Sequence, residues 1–167
     1  MRTTDTHVFF WGSFLSNFYY APFDVAFEGE TLHFKSSEQA YMASKALFFG
    51  DSAAFRKILD AFDAREAKAI GRTVNNFDAI AWDEVSYEAM FSACVAKFAN
   101  NIIIREKLIE TGDLILVEAS PLDCIWGVGL HEDDDLILNE KNWKGENRLG
   151  KVLMEVRSFM KESFPNE

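Results

Sequence analysis

The chain has few of the residues that staple, anchor or break a fold. Two cysteines, Cys94 and Cys124, lie far apart in its 167 residues. That is too few for a disulfide-built scaffold, and reduced thiols are expected. The three histidines, His7, His33 and His131, are scattered, and no Cys, His and carboxylate spacing matches a metal-ligand pattern. Neither a metal nor a cofactor is expected. Lys and Arg total 17 against 27 Asp and Glu, a formal charge of −10. Such a charge repels a phosphate backbone, which argues against bulk nucleic-acid binding but leaves room for a local cationic pocket. No uncharged stretch is apolar enough to span a bilayer, and Met1 to Gly12 lacks the basic flank and apolar run of a signal peptide. No membrane partner is expected, and the cytosol is the expected compartment. The three prolines, Pro22, Pro121 and Pro165, fall outside periodic segments, and there is no repeat or Gly/Pro-rich linker. Residues 1–167 therefore read as a single domain.

What is present is material for a core. Hydrophobic residues make up 49% of the chain and aromatics 14%, with phenylalanine used 16 times. A chain of this mass buries roughly 70% of its unfolded surface on folding. The pattern predicts a mainly α fold with a small antiparallel β element near the N-terminus. His7 to Trp11, Phe23 to Phe27 and Thr31 to Phe34 look extended, the last two joined as a hairpin through Glu28-Gly29-Glu30. Ser36 stands three residues before Gln39, a capping-box spacing, and opens a helix to Phe48 that ends at Gly50. A second helix is expected from Asp51 to Phe62, with Phe55, Ile58, Leu59 and Phe62 on one side. A third is expected from Asp63, with Glu66 at its third position and Gly71 near its end. Asp83 is positioned to cap a segment whose Tyr87, Met90, Phe91, Val95 and Phe98 share a broad face. A shorter helix follows Asn100-Asn101 up to Gly112, and Leu114 to Val117 reads as extended. An irregular stretch then runs from Ala119 to Glu146. The last helix spans about Arg148 to Phe164, with Asn147 as its N-cap and Leu149, Val152, Leu153, Val156, Phe159 and Met160 inward.

Several groups carry chemistry. Glu38, Met42 and Lys45, spaced by four and seven, put a carboxylate and an ammonium on one side of one helix. A carboxylate in the first turn is favoured as an anion by the macrodipole, and an ionised carboxylate suits a reaction that passes through a ribosyl cation. Spacing alone does not separate this from a decorated first turn beside a solvated lysine. Trp126-Gly127-Val128-Gly129 offers a flat indole face and glycines that allow a ligand near the backbone, while Trp82 and Trp143 sit between expected elements. Any of these rings also suits a core plug. Gly145-Glu146-Asn147-Arg148-Leu149-Gly150 leads into the last helix, where backbone amides and a guanidinium suit a phosphate, or where Asn147 is a cap and Arg148 a surface cation. Arg72 after Gly71 is similarly open, between anion binding and dipole complement. Asp133-Asp134-Asp135 reads as a solvated acidic run and Ser16-Asn17 as turn formers, while Cys94 reads as helix packing.

In order along the chain, Leu15-Ser16-Asn17-Phe18, Ser37-Glu38-Gln39-Ala40-Tyr41 with Lys45, Gly71-Arg72, Trp82 and Lys97-Phe98 resemble the NADAR (YbiA-like) family. So do Leu116-Val117-Glu118, Asp123, Trp126-Gly127-Val128-Gly129, Trp143-Lys144-Gly145, Asn147-Arg148-Leu149-Gly150 and Leu153-Met154-Glu155-Val156-Arg157. Each motif is weak, but together they span nearly the whole chain in register. The resemblance implies a YbiA-like fold and a hydrolase that breaks N-glycosidic bonds, with a small phosphoribosyl or ADP-ribosyl molecule as partner. By position, Glu38 looks like the family's catalytic carboxylate. Asn17, Trp82, Glu118, Trp126 and Gly127 would line the substrate, and Lys45, Arg72, Asn147 and Arg148 would hold phosphate or ribose. The chain departs from the commoner pattern at Gln39 and Lys35, positions expected to bear on substrate choice. Ribosylamino-pyrimidine intermediates of riboflavin synthesis are the substrate the resemblance favours. ADP-ribosylated guanine and a non-catalytic ADP-ribose or nucleotide sensor are the alternatives.

Overall fold

In the computed structural model, which describes residues 1–165, the chain falls into two compact units. One is the continuous segment Asn17–Ile102, here the central unit; the other joins Met1–Ser16 to the chain from Ile103 onward, here the terminal unit. In chain order the elements are β1 (Arg2–Thr3), β2 (His7–Phe10), β3 (Phe23–Phe27), β4 (Glu30–Phe34), α1 (Ser37–Phe48), α2 (Ser52–Leu59) and α3 (Ala64–Gly71). They continue with α4 (Ala79–Ala99), α5 (Ile102–Glu110), β5 (Ile115–Glu118), two short 3₁₀ turns and α6 (Arg148–Ser163). The fold is mainly helical with small sheets, as the pattern predicts. No helix among the described residues is long and apolar enough to cross a membrane.

The central unit is a hairpin and four helices. Glu28 and Gly29 both take positive φ, 50° and 83°, a two-residue loop of the kind whose twist suits an antiparallel pair. Phe27 therefore pairs directly with Glu30, and the second strand starts one residue earlier than expected. Asp51, Asp63 and Asp78 each accept a backbone N–H three residues on, at 2.9, 2.8 and 2.9 Å, which sets the starts of α2, α3 and α4. Helix α2 stops at Leu59, short of the expected Phe62, whose side chain is 82% exposed. The chain must leave the helix there so that Asp63 can cap the next one.

Two expectations for α4 are corrected. Asp78, not Asp83, is its cap, so the helix begins earlier and Trp82 lies within it rather than between elements. The buried face is Trp82, Ser86, Met90, Ala93, Cys94, Lys97 and Phe98, while Tyr87, Phe91 and Val95 are half-buried. Small residues at Ser86, Ala93 and Cys94 let α4 pack closely on α1. Helix α1 is buried at Ser37 to Ala43 and again at Ala46, as befits the helix that touches α2, α3 and α4.

In the terminal unit, β2 pairs with β1 antiparallel and with β5 parallel, in register from His7 with Ile115 to Phe10 with Glu118. Helix α6 packs on β5. At Gly150 an added Cβ would fall inside contact distance of the Leu116 carbonyl and the Asn147 side chain, so the missing side chain sets this close approach. Asn147 stands at the N-cap position with φ 54° but makes no cap hydrogen bond. Its Nδ2 donates to Leu116 O at 2.9 Å and its Oδ1 accepts from Glu118 N at 3.0 Å, so the side chain ties helix to strand. Phe159, expected inward, is 42% exposed, while Val156 and Met160 fill the interface.

Two outcomes follow. Gly150→Ala lowers stability by about 1–3 kcal/mol through overpacking against a backbone oxygen. Asn147→Ala leaves a buried carbonyl and a buried amide without their partner and costs roughly 2–4 kcal/mol. Urea titrations of the two variants against the parent chain check both.

Candidate active site

Glu38 lies in the first turn of α1 and is 4% exposed. Its backbone N–H donates to Asn17 O at 3.1 Å, and the Ser37 hydroxyl donates to Asn17 Oδ1 at 3.0 Å. The turn at Asn17 thus fixes where α1 begins and how its first carboxylate is presented. The side chain of Asn17 is itself held, with Nδ2 donating to Met90 Sδ at 3.1 Å and Oδ1 accepting from Cys94 Sγ at 3.7 Å. Asn17 is a scaffold for Glu38.

One turn and two turns further, Met42 and Lys45 meet the end of α3. A Cβ at Gly71 would collide with the Met42 side chain, so glycine permits α3 to press on α1. Lys45 Nζ donates to Gly71 O at 2.8 Å and lies 4.3 Å from the Phe77 ring centroid. Burial lowers the Lys45 pKa below its ordinary 10.5, Glu38 pulls it back up, and the Arg72 guanidinium lowers it further. Glu38, Lys45 and Arg72 therefore share one electrostatic neighbourhood. An ammonium has three donors, so the bond to Gly71 leaves Lys45 capacity for an anion. Arg72, the C-cap of α3, is exposed.

Trp82 is a wall of this neighbourhood. It is 9% exposed and packs at ring-centroid distances of 5.4 Å from Tyr41, 5.9 Å from Phe48 and 6.2 Å from Phe49. Phe49 in turn meets Phe77 at 5.4 Å, the ring under Lys45. Gln39 and Lys35, expected to bear on substrate choice, serve the fold. Gln39 donates to Ile58 O and Leu59 O and accepts from Lys35 N at 2.7 Å, while Lys35 Nζ donates to Ala61 O. Both fasten the end of α2.

The remaining candidates belong to the terminal unit. Asp123 Oδ1 accepts from Ile125 N at 2.9 Å and Trp126 N at 2.8 Å, an Asx-type turn that aims the half-buried indole of Trp126. The amides expected to be open to a phosphate are closed. Glu146, Asn147, Arg148 and Leu149 donate to the carbonyls of Cys124, Gly127, Ile125 and Trp126 at 3.0 to 3.2 Å. A Cβ on Gly127 would crowd Ser120, Asp123 O and Glu118 O, so the close approach this glycine permits is chain on chain. Arg148 is half-buried with its Nε 2.6 Å from Glu146 Oε2. Glu118 is a buried carboxylate, 8% exposed, at the end of β5. Trp143 donates from Nε1 to Ile137 O at 2.8 Å and packs against the core cluster to which Phe9, Val117, Val128 and Ile137 belong, a core plug. Asp134 caps the first 3₁₀ turn and Asp135 pairs with Arg2 at 2.9 Å.

Lys97, which the sequence reading names only within the Lys97-Phe98 motif and gives no role, is 0% exposed in α4. A lysine in the last turn of a helix ordinarily reads as a solvated complement to the dipole, and no local spacing marks one that is buried instead.

The sequence profile of the NADAR domain matches residues 9–161, across both units. The N-glycosidase R617 of Acanthamoeba polyphaga mimivirus is 37% identical over 92% of this chain and 96% of its own. The riboflavin biosynthesis protein VVA0006 of Vibrio vulnificus is 32% identical over 91% of this chain, which spans 36% of that longer protein. The solution structure of Escherichia coli YbiA superposes with a TM-score of 0.76 at 27% identity, covering 99% of this chain and 91% of that one. The chain belongs to the NADAR domain family.

Proposed function

We propose that this chain hydrolyses the C1′–N bond of a phosphorylated ribosyl compound, with ribosylamino-pyrimidine intermediates of riboflavin synthesis as substrate. The observation that carries this reading is Glu38, a carboxylate 4% exposed in the first turn of α1, in the same electrostatic neighbourhood as Lys45 and Arg72. The name of the Vibrio vulnificus relative supports the choice of substrate.

The reaction is dissociative. As the C1′–N bond lengthens, its electron pair goes to nitrogen and C1′ acquires oxocarbenium character. Glu38 stabilises that charge and takes a proton from a water whose oxygen bonds to C1′, while the departing nitrogen takes up a proton. Lys45 and Arg72 supply cations for the phosphate, and at the Glu38 carboxylate, 4% exposed, the field of each charge is stronger than in water. Asn17 acts through the backbone it holds at the start of α1.

Glu38→Gln keeps the shape and removes the base, so kcat falls on the order of 10² or more. Release of ribose 5-phosphate from the ribosylamino-pyrimidine is the readout, and a variant that works at the parent rate ends the reading. Running the same enzyme on ADP-ribosylated guanine decides between substrates; faster release of ADP-ribose would reassign it. Lys45 sets the alkaline side. It loses its proton as pH rises through a pKa below 10.5, so KM for the phosphorylated substrate climbs below that pH. Lys45→Arg keeps its charge and moves the climb upward.

A further inference from the structure

We propose that Lys97 is a positioning residue for this reaction, its buried ammonium holding the Glu38 carboxylate ionised and in place at the start of α1. The proposal rests on the reading of Glu38 given above and extends it. Lysine is almost never fully buried unless its charge is matched, and Lys97 is 0% exposed. In the central unit two carboxylates are buried, Glu38 and Asp51. The oxygens of Asp51 accept from Ala54 N and Asn75 N at 2.9 and 2.8 Å, which commits that group to the start of α2. The other acids of α4, Asp83, Glu84 and Glu88, face solvent, as does Asp24 of the hairpin. Glu38 is the anion that remains.

The geometry brings the two together through a shared neighbour. Cys94 stands one helical turn before Lys97 on the same buried face, and its Sγ reaches Asn17 Oδ1, the oxygen that also accepts from Ser37. Asn17 in turn accepts from Glu38 N. The thiol feels both charges: burial pushes it up to about 12, with Lys97 drawing it down and Glu38 pushing it up. It stays neutral and adds no charge of its own. On the α1 side Lys45, itself beside Arg72, feels the Glu38 charge, and on the α4 side the neutral Cys94 lies within reach of both Glu38 and Lys97. The rings of Phe98 and Tyr19 lie 5.0 and 5.8 Å from Lys97 Nζ and shield it from water. Buried this way, Lys97 does not touch substrate and acts through the carboxylate.

The test uses the full chain with Lys97→Met and Lys97→Arg. The Glu38 carboxyl is followed by ¹³C NMR, and kcat/KM is measured against pH. Lys97→Met raises the Glu38 titration and moves the acid limb of the rate profile upward by about one pH unit or more, and Lys97→Arg restores both. An unmoved Glu38 titration in Lys97→Met overturns the role of Lys97 while leaving Glu38 as the base. A titration that moves in an enzyme whose Glu38→Gln variant is fully active overturns the catalytic reading and the positioning role with it. Should Lys97→Met not fold, the double variant Lys97→Met/Glu38→Gln removes both charges and recovers folding. A double variant as unstable as the single one overturns the pairing.

Discussion

Removing a carboxylate from water costs several kcal/mol unless opposite charge and hydrogen-bond donors replace the lost solvent. The central unit is arranged around that requirement at Glu38. The first turn of α1 supplies the positive end of a helix dipole, and Asn17 clamps that turn by its carbonyl and its side chain. Lys45 and Arg72 supply cations from one side. Helix α1 is buried almost continuously from Ser37 to Ala43, so its position is fixed by α2, α3 and α4 at once. A charge fixed and dried in this way interacts with a developing cation far more strongly than a solvated carboxylate does. The burden on stability and the capacity for chemistry have the same origin.

The terminal unit meets a different constraint, the close approach of backbone to backbone. Four successive amides leading into α6 donate to four carbonyls around Trp126, and Asn147 bridges to both a donor and an acceptor of β5. A helix N-terminus used in this way cannot also cradle an anion with the same amides. The guanidinium of Arg148 is likewise engaged, with its Nε 2.6 Å from Glu146 Oε2. The glycines at 127 and 150 belong to this packing, since a side chain at either would strike neighbouring atoms.

Much of the fold was legible because it is locally encoded. Aspartate caps, the Glu28-Gly29 loop and the apolar spacing of α6 are each written within a few residues. The start of α4 was misread because Asp83 and Asp78 are both plausible caps in sequence, and the choice depends on Trp82 packing against Tyr41 and Phe48. The parallel pairing of β2 with β5 joins segments more than 100 residues apart, beyond any periodicity. In the site, Glu38 and Lys45 were visible as one helix face. Lys97 was not, because burial of a last-turn lysine is decided by what packs over it.

Motif residues divide by where their polar groups point. Asn17 spends its amide on the side chains of Ser37, Met90 and Cys94, and Gln39 and Asn147 spend theirs on backbone atoms of neighbouring segments, whereas Arg72 faces solvent and Lys45 has donors beyond its bond to Gly71. Both kinds read alike in a sequence, because an amide side chain that must satisfy one fixed donor and one fixed acceptor tolerates replacement as poorly as a catalytic group does. The distinction has a mechanistic consequence. Asn17 accepts from both the Glu38 amide and the Cys94 thiol, so a lesion there acts on the placement of the carboxylate. A side chain whose polar groups are all spent can in this way govern the geometry of a neighbouring charge.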